Sequence, residues 1–180
     1  MKLQITSTTC VVVAAAIVLS SSAMVARQLQ QGAGVPCNVT AANGVLPGSA
    51  EPQKGSFGNR HLAVWPFGLW PDGTVIFKPG GAGFQTREGF LVMKFGWTLG
   101  QDGKLQVTGH RLDGDSPSLR ASIGSAIEPP NFKPSFLIFP TPGCWEVSAQ
   151  IDGVDDSRLT FVTRVVKIGD GPAGRWDPNP

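Results

Sequence analysis

The sequence has no tyrosine, only two histidines and three cysteines, and a charged fraction of 16%. Each shortage closes off a class of chemistry. With His61 and His110 alone there is no His-x-x-x-His pair, and there is no Cys-x-x-Cys, so the common zinc-ligand spacings are missing. No Gly-x-Ser-x-Gly elbow is present to raise a nucleophilic serine on a strand-to-helix turn. Gly80, Gly81 and Gly83 run into Phe84 and Gln85 rather than the Gly-Lys-Ser/Thr and helix start of a phosphate cradle. Lys and Arg total 15 against 13 Asp and Glu, and the signs are mixed along the chain. That pattern offers neither a nucleic-acid stripe nor a polybasic membrane patch. Beyond residue 26 no apolar run is long enough to cross a bilayer.

What is present begins at the N-terminus. Lys2 precedes the apolar run Cys10–Leu19 (CVVVAAAIVL), and Ser20-Ser21-Ser22-Ala23 follows. A basic start, a short apolar centre and a small-residue exit make a secretory signal, with cleavage expected after Ala23. Cys10 sits at the start of the apolar run and Cys37 far downstream, so neither fits a lipoprotein signal. The competing reading is an uncleaved membrane anchor over Thr8–Ala26, which approaches the roughly 20 residues a span requires. Cleavage would leave about 155 residues, one domain of ordinary size with room for a real core.

Cleavage also leaves an even pair, Cys37 and Cys144. An exported compartment permits a disulfide between them. The alternative is two separate thiols, each buried as a small hydrophobe.

Along the chain, residues 24–59 are dominated by turn formers (Pro36, Asn43-Gly44, Pro47-Gly48, Pro52, Gly55, Gly58-Asn59). They read as an irregular segment with one short strand near Cys37. From residue 60 to 168 short apolar runs alternate with turns. Leu62–Trp70 and Thr74–Phe77 flank Pro71-Asp72-Gly73, and Phe90–Leu99 and Leu105–Leu112 flank Asp102-Gly103. Both junctions predict tight hairpins. Leu105, Val107 and Gly109, and then Leu119, Ala121 and Ile123, alternate with polar neighbours as half-buried strands do. Phe136–Phe139, the rigid turn Pro140–Gly143, a strand from Cys144, the loop Asp152–Asp156 and a last strand Leu159–Ile168 complete the series. Residues 169–180 read as a disordered tail. No window past the signal has helical period. The expectation is an all-β chain: an antiparallel, immunoglobulin-like β-sandwich of about seven to nine strands after the N-terminal signal helix.

Two segments carry a resemblance. Leu69–Phe77 (LWPDGTVIF), running on to Pro79-Gly80-Gly81, and Ile138–Val147 (IFPTPGCWEV) resemble stretches of uncharacterised secreted bacterial proteins. With the strands between them the resemblance covers roughly residues 60–168. It implies an exported bacterial β-sandwich and brings no activity or catalytic residue with it.

The candidate ligand-binding residues are aromatic. Trp65, Trp70 and Trp97 could stack on sugar rings if they face solvent, as large flat side chains do at ligand sites. The competing role is core packing between sheets. Cys144 with a histidine such as His110 is the remaining pair for thiol chemistry, but a strand cysteine beside Trp145 lacks the electropositive, open setting a thiolate needs. The acids Asp152, Asp155 and Asp156 suit a solvated turn. The expected function is a non-catalytic binding or structural module at the cell envelope, with an envelope protein or glycan as partner, and with no metal, cofactor or nucleic acid. A carbohydrate-binding module and a small secreted hydrolase are the alternatives. Contact with a membrane is expected only if the N-terminal segment is retained.

Overall fold

The computed structural model describes residues 36–66, 73–125 and 131–169. The expected signal and its cleavage point, Trp70 and the tail from residue 170 lie outside them.

Among the described residues ten strands follow one another: β1 (Phe57–Gly58), β2 (Leu62–Pro66), β3 (Thr74–Phe77), β4 (Phe84–Gln85), β5 (Leu91–Leu99), β6 (Leu105–Arg111), β7 (Arg120–Ile123), β8 (Phe132–Phe139), β9 (Gly143–Ile151) and β10 (Leu159–Lys167). Among the described residues the one helical element is a 3₁₀ turn at Asp155–Ser157. The first sheet runs β1-β2-β5-β8-β7, with β4 also paired to β5, and the second runs β3-β10-β9-β6.

Period-2 patterning explains why the sheets face each other. Met93, Phe95, Trp97 and Leu99 of β5, with Leu137 and Phe139 of β8, point to one side of the first sheet. Trp145, Val147, Ala149 and Ile151 of β9, with Leu159, Phe161 and Val165 of β10, do the same in the second. The inner faces meet in one core, where Phe139 lies edge-on to Trp145 at 5.7 Å and Trp97 lies 6.5 Å from Phe161. Aromatic pairs in these geometries add to the stabilisation from buried area.

Three expectations are corrected. The sandwich is not wholly antiparallel, because β3 pairs with β10 in parallel, Thr74 against Arg164 through Phe77 against Lys167. Alternation encodes which side chains turn inward; it does not encode strand direction. The two Asp-Gly junctions do not make hairpins: β2 and β3 belong to different sheets, and so do β5 and β6. Turn chemistry fixes a local reversal, whereas burial of both inner faces chooses the partner. Finally, the described residues around Cys37 form no strand; β1, at the end of that segment, supplies the early pairing.

Residues 36–58 still join the two sheets. The Thr40 amide donates to the Val162 carbonyl at 2.9 Å, and the Val162 amide donates back to the Thr40 hydroxyl at 2.9 Å, on a stretch of β10 that β3 does not reach. Asn43 then binds Gly58 in both directions, accepting at 3.0 Å and donating at 2.8 Å. The Cys37–Cys144 disulfide locks the start of this segment to β9. Such a bond fits an oxidising compartment. Among the described residues no helix is long and apolar enough to cross a membrane.

Candidate functional site

The structure separates the three candidate tryptophans. Trp97 is fully buried, and its indole N–H donates to the Ser135 hydroxyl at 2.8 Å inside the core. It packs the interior and presents no ring to a ligand. Trp70 is outside the described residues. Trp65 is half-buried and lies on the outer face of the first sheet, because its β2 neighbours Val64 and Leu62 pair with the inward Trp97 and Leu99.

The strand register lays out that outer face in lateral rows. Ala63, Thr98 and Phe132 form the first, then Trp65, Gly96 and Pro134. Lys94, Phe136 and Ser122 form the third, and Phe84, Val92, Ile138 and Arg120 the fourth. Along β8, Phe132, Pro134, Phe136 and Ile138 all project outward, about 6.7 Å apart at strand spacing. All four are half-buried. Gly96 sends no side chain between Trp65 and Pro134, which stand two strands apart, about 9.5 Å. Phe84 sits edge-on to Phe136 at 6.1 Å, and the Arg120 guanidinium lies 4.8 Å from the centre of the Phe90 ring. Ala63, Phe84 and Val92 of this face are buried, but the half-buried rings of Trp65, Phe132 and Phe136 beside exposed Lys94, Arg120 and Ser122 can stack a planar or pyranose-like ligand and hydrogen-bond its rim.

Pro134 also marks the end of the β7–β8 ladder. It pairs with Gly124, whose amide donates to the Pro134 carbonyl at 2.8 Å, while proline has no N–H to return the bond. The β7 ladder stops at Ile123, one residue earlier. Proline in a strand is tolerated where a ladder ends in this way.

The β8 rings were the part of the site hardest to find in sequence. Their signal is the alternation Phe132, Pro134, Phe136, Ile138, but Leu137 and Phe139 on the inner face merge with it into an apolar run, and Pro134 reads as a strand breaker.

The thiol pair is gone, since the Cys144 sulfur is bonded to Cys37. His110 is exposed on the outer face of the second sheet, with Nδ1 3.9 Å from Glu146 Oε1 on the neighbouring strand. Of the acids in the last loop, Asp152 accepts from Gln106 at 2.5 Å and Asp156 pairs with Arg60 at 2.6 Å. Among the described residues no three His, Cys, Asp or Glu side chains converge.

A second polar cluster holds the turn that delivers Cys144. Arg111 Nε donates to Asp113 Oδ1 at 2.6 Å, and Arg111 NH1 reaches the Thr141 hydroxyl at 3.3 Å. Gly143, at φ 146°, is required here: a Cβ would collide with Arg111 Nε and come within 2.7 Å of Asp113 Oδ1. Partial burial works to raise the Asp113 pKa, but the Arg111 hydrogen bond, the Cys144 amide and the Arg111 charge together bring it below its ordinary value. A carboxyl depressed in the folded state stabilises above its unfolded pKa and loses that contribution as pH falls through the folded value. The stability gap between wild type and Asp113→Asn should therefore be widest near neutral pH and narrow below about pH 4. Urea midpoints from pH 7 to 3 check this, and two parallel curves would rule it out.

No protein-family model matches the chain, and no curated protein matches it in sequence.

Proposed function

We propose that this chain is an exported, non-catalytic binding module, an immunoglobulin-like β-sandwich that works through the outer face of its first sheet. The connectivity supports the architecture. The orders β2-β5-β8-β7 and β10-β9-β6 follow the A-B-E-D and G-F-C sheets of immunoglobulin domains, with β3 added beside β10. Trp145, at the start of β9, donates its indole N–H to the Thr141 carbonyl at 3.0 Å. This is the kind of back-bond that a tyrosine makes at the same corner of immunoglobulin-like domains, in a chain that has no tyrosine. Cys144 departs from that pattern, bonding the N-terminal segment rather than the B-type strand.

The observation that carries the functional reading is the outward row of Trp65, Phe132, Pro134 and Phe136. The inner face is already filled, and on the outer face these four stay half-buried while Ala63, Phe84 and Val92 beside them are buried. The test is binding of the purified domain to cell-envelope polymers and phospholipid vesicles, compared with Trp65→Ala. If Trp65 is a binding anchor worth about 2 kcal/mol, the variant should bind about 30-fold more weakly. Its unfolding midpoint should stay close to wild type. Equal binding by the two proteins would remove the face from consideration.

A further inference from the structure

We infer that the outer face of the first sheet binds a negatively charged polysaccharide; the inference rests on the binding-face reading above and names its ligand class. The first argument is charge. The six strands of this sheet contain Lys94, Arg120 and Lys133 and no Asp or Glu. Lys94 and Arg120 share the outer face with the rings, since Lys94 pairs with Phe136 and Arg120 with Ile138. An arginine held over an aromatic ring keeps its guanidinium edge for carboxylate, sulfate or phosphate.

The same charge pattern argues against a second copy of this chain as the occupant. A face-to-face dimer would bring like charges together, which is costly at an interface.

The second argument is shape. Among the described residues the exposed large apolar side chains are Val45, Leu112 and Ile168, and none belongs to the first sheet. A surface that inserts into a bilayer needs apolar side chains that protrude into it. Here the rings of Trp65, Phe132 and Phe136 are half-buried and that of Phe84 is buried, which suits stacking against the flat C–H face of a sugar better than insertion. Thr98 and Ser122, on the same face, supply hydroxyls for the sugar rim.

The experiment titrates the oxidised domain with polygalacturonate, with neutral dextran and xylan, and with vesicles containing phosphatidylglycerol, at low and high salt. Three proteins are compared: wild type, Trp65→Ala and the double variant Lys94→Gln, Arg120→Gln. Binding to polygalacturonate is expected to exceed binding to the neutral polymers and to weaken with salt. The double variant should lose about tenfold at low salt and show a flatter salt dependence. Equal affinity for neutral and acidic polymers, with no effect of the double variant, would overturn the charged-ligand inference and leave the binding face standing. Binding to vesicles but not to polymers would overturn it in favour of lipid. Identical titrations of wild type and Trp65→Ala, or none by any protein, would overturn both readings. Thermal melts of each variant establish that it is folded, and both charge substitutions are at exposed positions.

Discussion

Reduction of the Cys37–Cys144 bond is expected to lower the unfolding free energy by about 5 kcal/mol and the melting temperature by about 10–20 °C. The size follows from the loop the bond closes: the cysteines are 107 residues apart, and the entropy removed from the unfolded chain grows with the logarithm of that length. A domain of this class is stable by only about 5–15 kcal/mol, so the loss would leave it marginal. The bond also decides local order. Apart from it, residues 37–40 are held by the paired hydrogen bonds of Thr40 and Val162 and by a long contact from the Cys37 sulfur to the Thr163 carbonyl. The measurement is urea unfolding of the oxidised protein, the reduced protein and the Cys37→Ser, Cys144→Ser double variant. The last two should agree, and limited proteolysis should cut them first near residue 40. A shift below about 2 °C would mean that the bond constrains little in the unfolded chain.

Trp97→Ala should cost about 3–5 kcal/mol, the range for deleting a buried aromatic side chain. The ring stands between Phe95 and Phe161, at 6.5 Å from each, and so links the two sheets. Its N–H satisfies Ser135, whose hydroxyl passes a weaker bond to the Phe95 carbonyl at 3.4 Å. Trp97→Phe keeps a ring and drops the donor, so it should cost less, about 1–2 kcal/mol. The contrast with Trp65 is the informative part. Trp65→Ala should change binding and spare stability, whereas Trp97→Phe should change stability and spare binding. If Trp97→Ala unfolds within about 1 kcal/mol of wild type, the aromatic core does not carry the weight given to it here.

The two tryptophans also show what was readable from sequence. The β character and most strand positions were legible, because alternation and turn residues report directly on which side chains are buried. The candidate bond between Cys37 and Cys144 followed from counting thiols in a chain expected to be exported. Which face each tryptophan occupies was not legible. Trp65 and Trp97 both sit in apolar strands, and they are told apart only by register, Trp65 against Gly96 and Val64 against Trp97. Register is a property of pairs, so a one-residue slip of β2 against β5 would turn Trp65 to the inner face. The Asp-Gly turns misled for a related reason, since each joins strands whose partners lie elsewhere in the chain.

The parallel edge strand sets the order of assembly. β3 has β10 as its ladder partner, and the Thr40 stretch also docks on β10. Both are made well before β10. Neither can settle until β10 has emerged, and such distant pairings are slow to form. During that interval the Cys37 thiol stays open to any oxidant or disulfide that reaches it. A bond made before Cys144 has emerged could close only on another thiol, whereas one made after β10 docks would seal the Cys37–Cys144 pair.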